Sequence, residues 1–152
     1  MDINAIYHYI FSKINDDLAP YGFQRSGKSG LFYRYSANKK VGCAFEMQKS
    51  MFNSPECYSF TFNLGCIGLH NIRGYSGDKL TIKTLRYAFY DGTRLGHLTR
   101  GCDYWWEITD EILHDFPIEA YYDQFLHKDV IKAAEILIEQ ARQKESVYHQ
   151  DE

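Results

Sequence analysis

Hydrophobic and polar residues alternate most clearly between Val41 and Ile67. Around Phe60 the apolar residues share one parity, and small or polar residues occupy the other. The apolar set is Tyr58, Phe60, Phe62, Leu64 and Cys66. Because successive side chains of a strand point to opposite faces, this pattern predicts a half-buried strand with one aromatic face. The stretch from Val41 to Met51 alternates in the same way, and Asn53 and Pro55 between the two are typical of a hairpin loop.

Helical spacing marks both ends of the chain. The first apolar stripe consists of Ile3, Ile6, Tyr7, Ile10, Phe11, Ile14 and Leu18. It predicts an amphipathic helix that Asp2 caps and that ends before Gly22. The second stripe consists of Val130, Ile131, Ala134, Leu137, Ile138 and Ala141, and it predicts the last helix. We expect a single domain over residues 1–146 and a flexible tail over residues 147–152.

Short links join the strands between these helices. Phe23–Arg25 and Leu31–Tyr35 are predicted strands, and a turn at residues 37–40 leads into the central hairpin. Consecutive strands with short links predict an antiparallel meander. The expected fold is therefore α+β: a meander sheet of about five or six strands, packed on one face by the N- and C-terminal helices.

The second half of the chain leaves one alternative open. Residues 68–79 are rich in glycine and predict a loop. Asp91-Gly92 favours a hairpin turn between residues 86–90 and 93–98, but residues 80–89 could equally form a helix. Residues 104–108 predict a short aromatic strand. A helical stretch follows it, and Pro117 suits the first turn of a new short helix.

Several short motifs occur in an order that resembles a bacterial family, domain of unknown function 4304. They are Gly22-Phe23-x-Arg25-x-Gly27, Phe32-x-Arg34, Gln48-Lys49-Ser50, Phe60-Thr61-Phe62-Asn63-Leu64-Gly65, Arg94-Leu95-Gly96 and Trp105-Trp106. The resemblance covers roughly Ile3 to Ile108, although residues 68–89 contribute nothing to it. It implies an α+β domain of a bacterial or phage cytoplasm, and it implies no activity or cofactor.

Composition narrows the function classes. Of the 152 residues 16% are aromatic, the net charge is −3 and the pI is about 6.1. This balance disfavours nucleic-acid binding, which usually needs a basic surface. We expect neither a signal peptide nor a membrane span, and therefore a cytoplasmic protein. Cys43, Cys57, Cys66 and Cys102 form no C-x-x-C motif, so buried reduced thiols are expected. The histidines show no paired spacing, and we predict no metal or cofactor.

Residues Gly22 to Ser29 match the phosphate-loop pattern G-x-x-x-x-G-K-[ST]. A phosphate loop needs a buried strand before it and a helix after it, so that backbone N–H groups converge on the phosphates. Here a helix and Pro20 come before the match and a strand follows it. We therefore interpret the match as a β-turn, in which Gly27 and Gly30 supply positive φ angles.

Polar side chains on the less apolar parity of the strands form the candidate binding face. The set is Arg34, Glu46, Gln48, Thr61 and Asn63, with Arg94 nearby and with Phe32, Trp105 or Trp106 as aromatic walls. Sequential strand pairing would bring these groups to one face, where they could bind an anionic or amide-bearing partner. The simpler interpretation is a solvated face that an Arg34–Glu46 pair stabilises.

Three functions remain open at this level. The first is a non-enzymatic module that binds a protein partner, of the immunity or accessory type, since Tyr and Trp are frequent at interfaces and no catalytic set is visible. The second is a small-molecule or nucleotide-handling enzyme that uses Arg25, Lys28, Arg34, Gln48 and Asn63. The third is single-stranded nucleic-acid binding on a sheet that carries aromatic residues.

Overall fold

The computed structural model describes residues 1–149. The helices are α1 (Ile3–Leu18), α2 (Ile82–Leu85), α3 (Leu95–Thr99), α4 (Asp110–Asp115), α5 (Ile118–Phe125) and α6 (His127–His149). The strands are β1 (Gln24–Arg25), β2 (Leu31–Tyr35), β3 (Val41–Lys49), β4 (Tyr58–Gly68), β5 (Thr93–Arg94) and β6 (Trp106–Ile108). Three short 3₁₀ helices cover Ala19–Tyr21, Leu69–Asn71 and Arg86–Phe89.

The strands form one antiparallel sheet in the order β1-β2-β3-β4-β5. Strand β6 also pairs with β4, on the same edge as β5. The predicted α+β meander is therefore confirmed. In the central hairpin Phe45 pairs with Leu64 and Met47 with Phe62. Residues that pair directly across antiparallel strands share a face, so the predicted aromatic parity forms one continuous apolar surface.

Helices α1, α5 and α6 cover that apolar surface and complete the main core. Helix α1 begins as predicted, because the Asp2 carboxylate accepts the N–H of Ala5 at 3.2 Å. Gly22 follows the 3₁₀ helix with φ 86°, a left-handed conformation that favours glycine. Helix α6 continues through residues 147–149, which we expected to be a tail; residues 150–152 lie outside the described part of the chain.

A smaller core lies on the opposite face of the sheet. It consists of Leu31, Ala44, Ile67, Leu80, Leu85 and Ala88. The sequence left a hairpin around Asp91-Gly92 and a helix over residues 80–89 open, and the structure has the helical alternative: residues 82–89 form helical turns that pack on this face. A Cβ on Gly65 would lie 2.3 Å from the carbonyl oxygen of Ala88. Glycine at this strand position therefore permits the close approach of the helical segment.

Cys43 and Cys66 pair directly across β3 and β4, with their Cα atoms 4.2 Å apart, and form a disulfide. The prediction of reduced thiols is wrong for this pair, because only the strand register brings residues 23 positions apart together. Cys102 is free but exposed, not buried as expected. Among residues 1–149, no helix is long and apolar enough to cross a membrane.

Candidate functional site

Four of the predicted site residues do share the second face of the sheet. Glu46 pairs with Asn63 across the hairpin, and Gln48 pairs with Thr61. The side-chain amide of Asn63 donates to Gln48 Oε1 at 2.8 Å. Arg86 Nη1 donates to both carboxylate oxygens of Glu46, at 2.7 and 2.8 Å. These polar groups therefore largely satisfy one another, which is typical of a solvated sheet face.

Arg34 lies on the other face. Strand β2 pairs Arg34 with Cys43 and Phe32 with Phe45, so both β2 residues point to the helix-covered side. The expected grouping of Arg34 with Gln48 and Asn63 is not formed, and Arg86 occupies the place expected for Arg34 beside Glu46. Phe32 is buried in the main core and forms no wall of a binding face.

Thr61 and Trp106 are both buried. Thr61 has an exposed fraction of 0% and donates through Oγ1 to the carbonyl oxygen of Tyr104 at 2.9 Å. Trp106 pairs with Phe60 at the β6 edge and is 1% exposed. The main contribution of these two residues is to packing.

Arg94 and Trp105 meet beside the polar face. Arg94 Nη1 lies 2.7 Å from Asp103 Oδ2, and its guanidinium lies 5.2 Å from the centre of a Trp105 ring. The indole N–H of Trp105 donates to the same carboxylate at 3.4 Å. Because Arg94 pairs with Asn63 across β4 and β5, this cluster joins the polar face to the edge of the sheet.

A cavity of about 510 Å³ opens at that edge, where β6 meets α4 and α5. We call it the aromatic groove. Its lining is Tyr104, Trp105, Trp106, Glu107, Glu111, Ile112, Asp115, Phe116, Tyr121 and Phe125. Both tryptophans of the chain therefore reach this groove, and its volume falls in the range of small-ligand sites.

Internal hydrogen bonds hold the floor of the groove. The indole N–H of Trp106 donates to the carbonyl oxygen of Phe125 at 2.7 Å. The hydroxyl of Tyr121 donates to the carbonyl oxygen of Glu107 at 2.9 Å. Burial, with smaller contributions from Tyr104 and Glu107, raises the pKa of Tyr121, so this hydroxyl keeps its proton. The aromatic surface is preorganised before any ligand arrives.

Arg100 supports the groove from outside its lining. Its guanidinium lies 4.2 Å from the centre of the Tyr104 ring. Its Nη2 lies 2.9 Å from a carboxylate oxygen of Asp129, which neutralises the cation.

Three carboxylates rim the groove. Glu107 is an exposed residue of β6, and Glu111 and Asp115 are exposed residues of α4. Thr109 caps α4 by accepting the N–H of Ile112 at 3.1 Å, and the i, i+4 spacing brings Glu111 and Asp115 to one side of the helix. Within residues 1–149 none of the three forms an ion pair, and no cationic side chain lines the groove.

The sequence predictions missed most of this groove. They included Trp105 and Trp106 but not Glu107, Glu111 or Asp115. The sole signal available was the acidic i, i+4 pair beside two tryptophans. The Phe116, Tyr121 and Phe125 lining depends on how α5 packs, and local periodicity does not report that packing.

A second cavity of about 320 Å³ lies at the opposite edge of the sheet, beside β1 and β2. We call it the tyrosine pocket. Its lining is Gly22, Gln24, Tyr33, Arg34, Tyr35, Ser36 and Lys39. Arg34 and Gly22, which the sequence placed in other contexts, meet here.

The phosphate-loop match is a turn, as predicted. Ser29 donates its N–H to the carbonyl oxygen of Ser26 at 3.1 Å, and Arg25 donates to the carbonyl oxygens of Lys28 and Ser29. Gly27 has the expected positive φ of 58°, but Gly30 does not. Gly30 is instead required by packing, because a Cβ there would lie 2.8 Å from the Phe11 ring.

The model of a protein family described as "Domain of unknown function (DUF4304)" matches residues 14–132. The chain belongs to this family, as the ordered motifs indicated. The match extends beyond Ile108, where the resemblance ended, and includes α4, α5 and the start of α6. Comparisons with curated proteins and with solved structures found no match. In the described part of the chain no three His, Cys, Asp or Glu side chains are grouped so that they could hold a metal ion.

Proposed function

We propose that the protein is a non-enzymatic binding module that holds a Lys- or Arg-bearing segment of a protein partner in the aromatic groove. The observation that carries the proposal is the combination of half-buried aromatic rings, those of Tyr104, Trp105, Phe116 and Phe125, with three unpaired rim carboxylates. A cation over an aromatic face contributes about 0.5–2 kcal/mol, and a hydrogen bond to a charged group about 1.5–3 kcal/mol. A basic side chain with an apolar neighbour would satisfy both parts of the groove.

Trp105 connects the groove with the rest of the proposed surface. It lines the groove and also contacts Arg94 and Asp103, which continue toward Asn63 on the sheet face. Large aromatic residues with a polar atom are enriched in binding hot spots. A partner that binds the groove could therefore extend across the polar face.

The enzyme alternative has less support. It needed Arg34 together with Gln48 and Asn63, and these side chains lie on opposite faces of the sheet. The amides of Gln48 and Asn63 also bond to each other. The nucleic-acid alternative remains a prediction with weaker support, because the aromatic groove carries acidic residues where a polyphosphate backbone needs cations.

A peptide-display selection tests the proposed function. Immobilised protein is exposed to a random peptide library, and bound peptides are counter-selected on a variant with Glu111→Lys and Asp115→Lys. The matched control carries Glu135→Lys and Glu139→Lys, an exposed i, i+4 acidic pair on α6. We expect enriched peptides to contain Arg or Lys beside an apolar residue.

The affinity of those peptides should fall at least about tenfold in the groove variant and within about twofold in the control, since the charge change is the same. Enrichment of acidic or uncharged peptides would contradict the proposal. Equal binding to the groove variant and to the unchanged protein would also contradict it.

A further inference from the structure

The tyrosine pocket has the opposite charge pattern to the aromatic groove. Its cationic lining residues are Arg34 and Lys39, and no carboxylate lines it. In the described chain Arg86, Arg94 and Arg100 each pair with a carboxylate. The side chain of Arg34 has no hydrogen bond and no ion pair within residues 1–149. A half-buried guanidinium without a partner keeps its fork of N–H donors available for an oxyanion.

Neutral groups of the pocket complement the two cations. The hydroxyl of Tyr33 donates to Gln24 Oε1 at 3.2 Å, and the rings of Tyr33 and Tyr35 meet edge to face at 5.5 Å. A tyrosine hydroxyl is a donor at neutral pH, and burial, with a smaller contribution from Tyr33, raises the pKa of Tyr35 further. The pocket therefore offers donors beside aromatic surface.

The backbone places Arg34 and Lys39 in the lining of one cavity, Arg34 from the helix-covered side of β2 and Lys39 from the turn that follows β2. Gly22 is left-handed, and a Cβ there would lie 3.6 Å from Arg34 Nε. Lys39 is the one non-glycine residue with positive φ in the described chain, at 56°. The backbone N–H of Lys39 donates to the carbonyl oxygen of Ser36 at 2.9 Å, and the carbonyl oxygen of Lys39 accepts the N–H of Leu80 at 2.8 Å. This turn holds Lys39 with its ammonium 5.3 Å from the centre of the Tyr35 ring.

We propose that the tyrosine pocket binds the phosphate group of a small aromatic phosphate monoester, with Arg34 and Lys39 on the phosphate and the tyrosine rings against the organic part. A tetrahedral dianion accepts hydrogen bonds from several directions, which suits a guanidinium, an ammonium and hydroxyls around one cavity. The cavity of about 320 Å³ exceeds the volume of phosphate alone. The site lies at the opposite edge of the sheet from the aromatic groove and does not depend on the proposed function.

An NMR titration of the full chain tests this site. Phenyl phosphate, inorganic phosphate, benzoate and chloride are added in parallel at constant ionic strength, and backbone amide shifts are followed. We expect saturable shifts at Gly22, Gln24, Tyr35, Ser36 and Lys39 with phenyl phosphate, and weaker saturation with inorganic phosphate. Arg34→Gln should lower the affinity for phenyl phosphate by about 10- to 100-fold, as expected for a lost charged hydrogen-bond donor.

Arg73→Gln is the matched control, because Arg73 is exposed in the loop after β4 and lies outside the pocket. It should change the affinity less than twofold. If Arg34→Gln does not fold, Arg34→Lys and Lys39→Gln replace it, and each should lower the affinity for phenyl phosphate severalfold. The proposal is overturned if phenyl phosphate acts like chloride, if benzoate binds as tightly, or if Arg34 and Lys39 variants bind like the Arg73 control.

Discussion

The aromatic groove and the tyrosine pocket sit at opposite edges of one sheet and differ in charge. The groove rim carries Glu107, Glu111 and Asp115 and no cation, whereas the pocket carries Arg34 and Lys39 and no carboxylate. Both also contain aromatic rings. The difference shows why net charge is a poor guide to recognition: a chain of net charge −3 keeps separate local fields of opposite sign.

The two regions also differ in how they are built. The groove rests on a buried tryptophan and on helices α4 and α5, and two hydrogen bonds join α5 to β6. The pocket rests on short strands and on turns at Gly22 and Lys39. Substitutions in the core should therefore change the shape of the groove most, whereas substitutions in the turns should change the shape of the pocket.

The largest effect is expected from Trp106→Ala. This change removes a fully buried ring and its hydrogen bond to Phe125, and it should lower the free energy of unfolding by about 3–5 kcal/mol. Urea denaturation measures the loss. Trp105→Ala is the control, since its half-buried ring should contribute much less. Equal losses for the two variants would mean that the groove floor is not part of the core.

Reduction of the Cys43–Cys66 disulfide should have the next largest effect. The bond closes a 23-residue separation, and the loss of its constraint on the unfolded chain should cost about 2–4 kcal/mol. Urea denaturation with and without a reductant measures this difference in a variant that also carries Cys57→Ser and Cys102→Ser. Unchanged stability after reduction would contradict a structural role for the bond. Neither cysteine lines the aromatic groove or the tyrosine pocket, but Cys43 pairs with Arg34 across β2 and β3, so the pocket should be the more sensitive of the two to reduction.

The smallest effect distinguishes the pocket from an ordinary turn. Gly22→Ala should cost about 1 kcal/mol, because alanine is strained at φ 86°. Gly74→Ala is the matched control, since Gly74 has a similar φ of 78° and an added Cβ there would contact no other atom within 4 Å. The two variants should lose similar stability in thermal unfolding. Only Gly22→Ala should also weaken the binding of phenyl phosphate, because its methyl group would lie beside Arg34. An equal loss of phenyl phosphate affinity in both variants would argue against the pocket geometry.

Local patterns were sufficient for the parts of the fold with one clear apolar parity or stripe. The alternation around Phe60 and Phe62 and the stripe of α1 identified the main core correctly. Strand β2 has apolar residues on both parities, Phe32 on one and Leu31 on the other, so its orientation could not be read locally. The pairing of Phe32 with Phe45 decided it, and this pairing moved Arg34 from the polar face to the pocket.

The binding surfaces were harder to predict than the core for a physical reason. The groove collects residues from β6, α4 and α5, and the pocket collects residues from the end of the first helical segment, β1, β2 and a turn. Their neighbours are set by tertiary packing of elements that are short and weakly periodic. The acidic pair Glu111 and Asp115 was visible in the sequence, but its aromatic counterpart was not.

Exposed Cys102 has a practical consequence. It lies one residue from Asp103, which contacts both Arg94 and Trp105 at the margin of the groove. With Cys43 and Cys66 joined, a Cys57→Ser variant leaves Cys102 as the single free thiol in the sequence. A fluorophore attached to Cys102 would lie next in sequence to Asp103, which contacts the Trp105 indole, and an indole ring can quench fluorescence. Cys102 is therefore a labelling position from which ligand binding in the groove can be followed in solution.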